Sequence, residues 1–392
     1  MEKIKPGTLA TNFFEEYGNP GIHPELYFAP GRVNLIGEHT DYNGGFVLPC
    51  ALKYGTWLLV RKSNDNFVKL ASVNVPEKLS LPANMPLEKQ PVRWFNYPLG
   101  VMDQFVKKGF QIKGMELLFS GDIPNNAGLS SSASIEMATA VGLNDLLKAD
   151  RPMLDLIRLS QKAENEFAGV NCGIMDQFAS GIGKSDHAVF INCHTLEYKL
   201  IPLFIPGWQL VIANTNKQRG LVDSKYNERV AECQEAVRIL SGSLGISGLS
   251  EVGFMHFYKI EDQIHDVTIR RRARHVISEN QRVLNSVSCL LKSDIVGFGA
   301  LMNASHDSLK DNYEVTGFEL DTLVEEARKI NGVIGSRMTG AGFGGCTVNL
   351  LREETVDAFM EQVGSEYKKK TGYTPEFYIA EPSDGARSIN YF

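Results

Sequence analysis

The chain has 392 residues, of which 43% are hydrophobic, and its formal net charge at pH 7 is −6. This length suggests two or three domains with a substantial core, and the negative charge argues against a nucleic-acid partner. Because no stretch approaches the roughly 18 apolar residues of a membrane span, and the six cysteines form no C-x-x-C pair, we expect a cytoplasmic protein without a membrane partner or zinc cluster.

The first half of the chain alternates predicted strands with polar turns. The segments "YFAPGRVNLIG" and "GFVLPCALKYGTWLLVRK" have the composition of strands and flank a turn at Asn43, Gly44 and Gly45. The strand "GMELLFSGDIP" leads into "GLSSSAS", residues 128 to 134, where an apolar helix begins. A second helix follows and ends at Gly169.

The second half has the same mixture of helices and strands. The segment "IPLFIPGWQ" contains two prolines and a glycine, so we predict lobes at residues 1–203 and 204–392. Beyond it, helical spacing begins at Tyr226, and strands recur at "GGCTVNLL" and "EFYIAE". We interpret the basic run "RRRAR", residues 270 to 274, as the solvated start of a helix.

The serine segment is a candidate anion site. A helix N-terminus leaves its first N–H groups unpaired and carries partial positive charge. Gly128 permits close backbone approach, and Ser130, Ser131 and Ser132 add hydroxyls that can bind phosphate oxygens or Mg²⁺. One serine suffices for an ordinary N-cap, so both interpretations remain open for this segment.

Two other glycine motifs do not fit nucleotide loops. "GIGKS" lacks the Walker glycine, because Phe178 stands five positions before Gly183. "GAGFGG" has the dinucleotide spacing, but a strand pattern follows it instead of a helix. We therefore predict that residues 340 to 345 form a turn between strands. The "GAGFGG" spacing is also the only feature that would indicate a dinucleotide-dependent oxidoreductase.

The segment "GRVNLIGEHTDYNGG" is the densest polar stretch between apolar strands. It contains carboxylates, an imidazole and an aromatic ring, which suit a polyol whose hydroxyls both donate and accept hydrogen bonds: Arg32, Asn34, Glu38, His39, Asp41 and Tyr42. A structural network of salt bridges would also satisfy these groups. A further alternative is a zinc site formed by Glu38, His39 and Asp41, but the sequence has no second histidine motif to support it.

Two acidic residues are candidates for phosphoryl transfer. Asp176 stands among apolar residues in "GVNCGIMDQF", as expected of a group that orients an attacking hydroxyl. Glu164 is a candidate Mg²⁺ ligand together with a loop serine. The alternatives are a cap or ion-pair member for Asp176 and a solvated helix residue for Glu164.

Taken together, these motifs resemble the galactokinases of the GHMP small-molecule kinase superfamily. "GRVNLIGEHTDYNGG" is similar to the galactokinase signature, "PNNAGLSSSAS" to the phosphate loop and "GSRMTGAGFGGC" to the third motif. "GVNCGIMDQ", "LVDSKYNER" and "RRARHVISENQRV" also resemble family segments. The resemblance runs from about residue 25 to residue 350 in the family's order.

The resemblance implies an α+β fold of two lobes, with mixed β-sheets, helices packed on them and the active site between the lobes. It implies transfer of the γ-phosphate of ATP to the anomeric hydroxyl of galactose, the first phosphorylation of galactose catabolism. The residues expected to hold the sugar are Glu38, His39, Asp41, Gly173, Asp176 and Tyr226. Asp176 and Arg32 are the expected catalytic residues.

The resemblance also implies residues for Mg-ATP. The loop expected to wrap the phosphates consists of Gly128, Leu129, Ser130, Ser131, Ser132, Ala133 and Ser134. Ser132 and Glu164 are expected nearest Mg²⁺, and Trp94 and Tyr97 near the adenine, although "WFNYPLG" departs from the family pattern at Phe95 and Pro98. We expect Asp176 to orient the sugar hydroxyl and accept its proton late, with Arg32 keeping the carboxylate ionised.

Two alternatives share this scaffold. A catalytically silent galactose sensor that acts on a transcriptional partner would be expected to lose residues of the serine loop, which is intact here. A kinase for N-acetylgalactosamine would be expected to differ after "GEH", where Thr40, Asn43, Gly44 and Gly45 resemble galactokinases instead.

Overall fold

The computed structural model describes residues 6–124, 127–217 and 222–390. The strands, in chain order, are β1 (Glu25–Asn34), β2 (Phe46–Val47), β3 (Pro49–Lys62), β4 (Phe67–Ser72), β5 (Leu79–Pro82), β6 (Met115–Gly121), β7 (His187–Asn192), β8 (Tyr198–Pro202), β9 (Trp208–Asn214), β10 (Val333–Thr339), β11 (Cys346–Arg352), β12 (Glu376–Ile379) and β13 (Arg387–Ile389). The α-helices are α1 (Pro6–Tyr17), α2 (Asn96–Lys107), α3 (Ser131–Leu146), α4 (Met153–Lys162), α5 (Met175–Ile182), α6 (Val222–Leu244), α7 (Phe254–Ile260), α8 (Val267–Leu291), α9 (Ile295–Ser308), α10 (Phe318–Ala327) and α11 (Val356–Thr371).

The first lobe is built on a six-stranded sheet in the order β13-β1-β3-β6-β4-β5. Its pairs are antiparallel except for β4 with β6, which are parallel. Residues of β3 such as Leu58 pack with Met137 and Ala138 of α3 in one buried cluster. Helix α3 is therefore apolar nearly all round because it is enclosed between the sheet and its neighbouring helices.

The second lobe is built on the four-stranded sheet β10-β11-β9-β12. One of its faces is covered by α10 and α11, where Val211 packs with Leu323 and Phe359. On the other face, Phe298 of α9 joins a buried cluster with Ile212 of β9. A third sheet, β2-β7-β8, completes the fold.

The two lobes share a hydrophobic core. The cluster that contains Ile212 and Phe298 also contains Val33 of β1 and Ile36, which are apolar residues of the segment "GRVNLIGEHTDYNGG". The mixed sheets with helices packed on them confirm the expected fold class. Near the end of the chain, β13 returns to the first sheet and pairs with β1, while the division near residue 204 stays a prediction.

Several local predictions can be compared directly with the structure. The glycine-rich turn is confirmed, since residues 340 to 345 connect β10 to β11. The solvated interpretation of "RRRAR" is wrong for Arg272, which is buried and forms ion pairs with Glu232 and Glu314. Within the described residues, no helix has the length and apolar character to cross a membrane.

The shared core leads to a prediction about stability. Phe298→Ala removes a side chain with no exposed surface, and the lost burial and resulting cavity should lower the free energy of unfolding by about 3–5 kcal/mol. Phe318→Ala is the matched control, because Phe318 is 62% exposed and its loss should change stability by about 0.5 kcal/mol at most. Chemical denaturation measures both, and equal effects would contradict the role assigned to Phe298.

Candidate active site

A cavity of about 230 Å³ lies where the first sheet, α5, α6 and the turn after β10 meet. It is lined by residues from both predicted lobes: Arg32, Glu38, His39, Asp41, Glu164, Gly169, Val170, Asn171, Cys172, Gly173, Met175, Asp176, Tyr226, Asn227, Gly340 and Ala341. All six residues expected to hold the sugar are among them. The structure thus brings together residues as far apart in the chain as Arg32 and Ala341.

Asp176 lies in the first turn of α5 and forms an ion pair with Arg32 of β1. Arg32 donates from Nε to Asp176 Oδ1 over 2.8 Å, and its Nη2 is 2.7 Å from the same oxygen. The hydroxyl of Ser130 donates to the other oxygen, Oδ2, over 2.6 Å. One carboxylate oxygen is therefore held by the guanidinium, and the other is held by the serine loop.

The serine loop is tied to β1 as well as to Asp176. Arg32 Nη1 donates to the carbonyl of Gly128 over 2.8 Å, and the Arg32 amide donates to the carbonyl of Leu129 over 3.1 Å. Ser130, the N-cap of α3, has a φ of 62°, which is uncommon for a residue other than glycine. Its contact with Asp176 stabilises this conformation, and the N-terminus of α3 begins at Ser131.

Not all of the predicted loop residues face outward. Leu129 and Ala133 are buried, while Ser131 is exposed and Ser132 is half-buried. Ser134 is fully buried: its hydroxyl donates to the carbonyl of Ala29 over 2.7 Å, and its amide donates to the carbonyl of Ser130 over 3.0 Å. Ser134 thus anchors the loop to the first sheet, and a contact with ATP stays a prediction.

Glu38 is buried with both carboxylate oxygens bound. Oε2 accepts from Asn34 Nδ2 over 2.8 Å, and Oε1 accepts from the amide of Gly340 over 2.7 Å. Arg337 Nη1 lies 3.5 Å from Oε1. The third glycine-rich motif therefore contributes to the site by binding Glu38, and Glu38 retains lone pairs for a ligand because a carboxylate accepts about four hydrogen bonds.

His39 is neutral at pH 7, because burial lowers its pKa to about 3. A hydrogen bond of 2.9 Å joins its Nδ1 to the hydroxyl of Tyr42, which is 2.7 Å from the hydroxyl of Tyr313. Nε2 is buried and has no hydrogen-bond partner within the described residues. The rings of Tyr42, Tyr226 and Tyr313 lie 5.9, 5.8 and 4.8 Å from that of His39 between centroids, so aromatic side chains pack around the imidazole.

Asp41 and Gly173 are in contact. Burial and, to a smaller extent, the negative charge of Asp176 together raise the pKa of Asp41 to about 7. A Cβ at Gly173 would overlap the Asp41 carboxylate, so any larger residue at this position would have to displace that carboxylate. Near neutral pH, part of the Asp41 population is protonated, which allows its side chain to donate as well as accept hydrogen bonds.

Glu164 belongs to a π-helical turn, Ala163–Ala168, that continues α4. Burial raises its pKa, while a hydrogen bond from Ser132 lowers it. Gln177 Nε2 donates to Glu164 Oε2 over 2.6 Å and to Glu136 Oε2 over 3.0 Å. Glu164 and Ser132 therefore lie together beside a buried acidic cluster, and Mg²⁺ binding by them stays a prediction.

Trp94 and Tyr97 do not line the cavity described above. Trp94 packs edge-on against Phe119 with 5.8 Å between ring centroids, and its buried Nε1 has no hydrogen-bond partner in the described part of the chain. Burial raises the pKa of half-buried Tyr97, and the negative charge of Glu164 adds to this shift. A contact of these two residues with adenine stays a prediction.

Sequence reasoning missed several residues that shape the site. Gln177, Tyr313 and Arg337 all bind predicted site residues through their side chains. Glu136 had a local signal, because it stands four positions after Ser132 and so shares a helix face with it. Tyr313 and Arg337 had no local signal, because their partners Tyr42 and Glu38 are 271 and 299 positions away in the chain. Gln177 is the residue directly after Asp176.

Family models match three segments of the chain. The model described as the galactokinase galactose-binding signature matches residues 11–62. Those described as GHMP kinases N terminal domain and GHMP kinases C terminal match residues 96–184 and 286–369. The first match contains Arg32 and the polar segment, and the second contains the serine loop and Asp176.

Similar proteins cover nearly the whole chain. The galactokinase of Clostridium acetobutylicum is 52% identical over 373 residues, which is 94% of this chain and 95% of that protein. The galactokinase of Clostridium beijerinckii is 52% identical over 369 residues, covering 93% and 94%. The crystal structure of Lactococcus lactis galactokinase complexed with galactose has a TM-score of 0.95 at 44% identity, covering 98% and 99%. The chain therefore belongs to the galactokinase family of GHMP kinases.

Proposed function

We propose that the protein transfers the γ-phosphate of ATP to the anomeric hydroxyl of galactose, giving galactose 1-phosphate and ADP. The observation that carries this proposal is the contact of Asp176 with Arg32 and Ser130, which joins a carboxylate beside the cavity to the N-terminal loop of α3. Family membership supplies the substrate class. Six dispersed cysteines fit a cytoplasmic location, which stays part of the proposal.

In the proposed reaction, Asp176 orients the anomeric hydroxyl and accepts its proton. Oδ1 is occupied by Arg32, whereas Oδ2 receives one hydrogen bond from Ser130 and retains a lone pair. The sugar oxygen attacks the γ-phosphorus, the bond to the ADP oxygen breaks, and the proton passes to Oδ2. Because the transition state is loose, late proton transfer and positioning are sufficient.

The serine loop and Arg32 would stabilise charge on the phosphates. The amides at the start of α3 point toward the helix N-terminus, where the dipole favours anions. Arg32 is fixed at both Asp176 and Gly128, so its positive charge lies between the carboxylate and the loop. This preorganised positive charge lowers the barrier by electrostatic stabilisation of the transferring phosphoryl group.

The donor set at Ser132 and Glu164 fits Mg²⁺, which prefers one or two protein oxygens together with substrate phosphates. No cluster of three or more His, Cys, Asp or Glu side chains suited to a metal occurs within the described residues. When bound, Mg²⁺ would neutralise charge on the ATP phosphates. Gln177 would hold Glu164 in place from the buried side.

The sugar would be held by the groups that line the cavity beside Asp176. The unpaired Nε2 of His39 and the carboxylates of Glu38 and Asp41 are separate hydrogen-bonding positions for hydroxyls. Such buried polar groups discriminate strongly between hydroxyl patterns, because the wrong sugar leaves them unpaired.

The activity itself is tested by measuring ADP release with Mg-ATP and, separately, galactose, N-acetylgalactosamine, glucose, mevalonate or no acceptor. We expect release with galactose alone and its loss when Mg²⁺ is omitted. If galactose gives no ADP but calorimetry detects its binding, the sensor alternative is favoured. If galactose does not bind, the assignment of the cavity to the sugar is wrong.

The role of Asp176 predicts the effect of Asp176→Asn. The amide cannot accept the proton and loses the ion pair with Arg32, so kcat should fall at least about 100-fold. Asp155→Asn, at a surface position 42% exposed, is the control and should retain wild-type kcat. A loss of less than about threefold in Asp176→Asn would remove Asp176 from this role.

The contact of Gly173 with Asp41 predicts a selective loss of sugar binding. In Gly173→Ala the new methyl group displaces the Asp41 carboxylate, so the KM for galactose should rise about tenfold or more, a cost of about 1.4 kcal/mol. The KM for ATP should stay within about twofold. Gly242→Ala is the control, because no atom lies within 4 Å of its added Cβ, and parallel changes in both KM values would contradict this assignment.

A further inference from the structure

The segment from Gly37 to His39, here called the sugar loop, has a strained backbone. Gly37 has a φ of 102° and His39 a φ of 62°, so two of its three residues are left-handed. The left-handed conformation costs a residue other than glycine on the order of 1 kcal/mol. Such a conformation persists only where surrounding contacts hold it in place. Within the sugar loop, Glu38 and His39 line the cavity.

Locally, Thr40 donates to the Gly37 carbonyl and Asn43 to the His39 carbonyl. Side chains of helix α8, in the second lobe, bind further backbone groups of the sugar loop. Glu279 Oε1 accepts a hydrogen bond of 3.0 Å from the amide of Gly37. One turn earlier, His275 Nε2 donates to the carbonyl of Glu38 over 3.2 Å. Because that carbonyl can only accept, Nε2 carries the proton, and Nδ1 accepts from the hydroxyl of Ser308 at 2.9 Å.

Glu279 also connects to the Glu38 side chain by a second path. The hydroxyl of Ser305 donates to Glu279 Oε1 over 2.5 Å and accepts from Arg337 Nε over 3.2 Å. Arg337 in turn donates from Nη1 to the carbonyl of Asn34 over 3.0 Å and lies 3.5 Å from Glu38 Oε1. The carboxylate of Glu279 thus reaches the sugar loop at its backbone and at its acidic side chain.

The charge on Glu279 is maintained by its surroundings. Both Glu279 and Arg337 are fully buried. Although burial raises the pKa of Glu279, the positive charges of Arg282 and Arg337 outweigh it and lower the pKa to about 2. Arg282 Nε donates to Glu279 Oε2 over 2.6 Å, so Oε2 is held by a cation while Oε1 is directed at Gly37.

We propose that Glu279 and His275 are positioning residues of the sugar site, which hold the strained sugar loop so that Glu38 and His39 line the cavity. This inference rests on the proposed function, because it assumes that the cavity binds galactose. Neither residue lines the cavity. They act through Gly37 and Glu38, so their loss should weaken the sugar and spare the nucleotide.

The test variant is Glu279→Gln. If the amide oxygen accepts from Gly37, the new NH₂ group faces the donor Nε of Arg282, and the reverse orientation places it against the Gly37 amide. In the first orientation the bond to Gly37 loses its charged acceptor and so weakens, and in the second it is replaced by a clash of two donors, so the loop should shift in either case. Glu326→Gln is the matched control, because Glu326 is also a buried carboxylate of the second lobe and is paired with Lys329 and Lys370.

Calorimetry on the full chain measures the Kd of galactose and, separately, that of a Mg-bound non-hydrolysable ATP analogue. We expect Glu279→Gln to raise the galactose Kd at least tenfold and to leave the nucleotide Kd within twofold, whereas Glu326→Gln changes neither. A galactose Kd within threefold of wild type, or equal weakening of both ligands, would overturn the inference.

A second variant covers the case in which Glu279→Gln does not fold. His275→Phe keeps a ring against Tyr313, whose centroid is 4.5 Å away, and removes the bond to Glu38. The same selective rise in galactose Kd is expected, and its absence would overturn the inference. If the wild-type chain does not bind galactose, the proposed function and this inference both fail; if it does and the variants match it, only this inference fails.

Discussion

The ion pair between Arg32 and Asp176 is the contact on which the arrangement of the site depends. Arg32 belongs to β1 and Asp176 to α5, and the same guanidinium binds the carbonyl of Gly128 at the start of the serine loop. A buried guanidinium is costly unless its donors are paired, so the three segments must satisfy it together. The protein itself therefore fixes the serine loop relative to the carboxylate, which suits the positioning that the proposed phosphoryl transfer needs.

A second constraint is the concentration of acidic groups around this pair. Burial raises the pKa values of Asp41, Glu136 and Glu164, and in each case a neighbouring carboxylate raises the pKa further. Such a cluster costs stability, and proteins retain such costs where function depends on them. Sugar hydroxyls donate hydrogen bonds and a divalent cation supplies positive charge, so the proposed ligands are the groups that would offset this cost.

Sequence reasoning located the elements of the site better than their contacts. Periodicity and turn residues predicted the strands around the signature, the helix after the serine loop and the turn at residues 340 to 345, because these are local signals. Arg272 was misjudged as solvated, since its partner Glu232 is 40 positions away. The return of β13 to β1 is also non-local: the pair joins Phe28 to Arg387, and no short pattern in the sequence specifies it.

The contacts that hold the sugar loop could not be predicted from the sequence, because they are made to its backbone. Every residue except proline has an amide and a carbonyl, so nothing in "LIGEH" indicates that Gly37 donates to Glu279 or that Glu38 accepts from His275. Only the partners are distinctive, and they lie on a helix of the other lobe. The backbone around the left-handed His39 is thus held by local bonds from Thr40 and Asn43 and by side chains of the other lobe, so the proposed sugar site depends on both lobes and not on the signature segment alone.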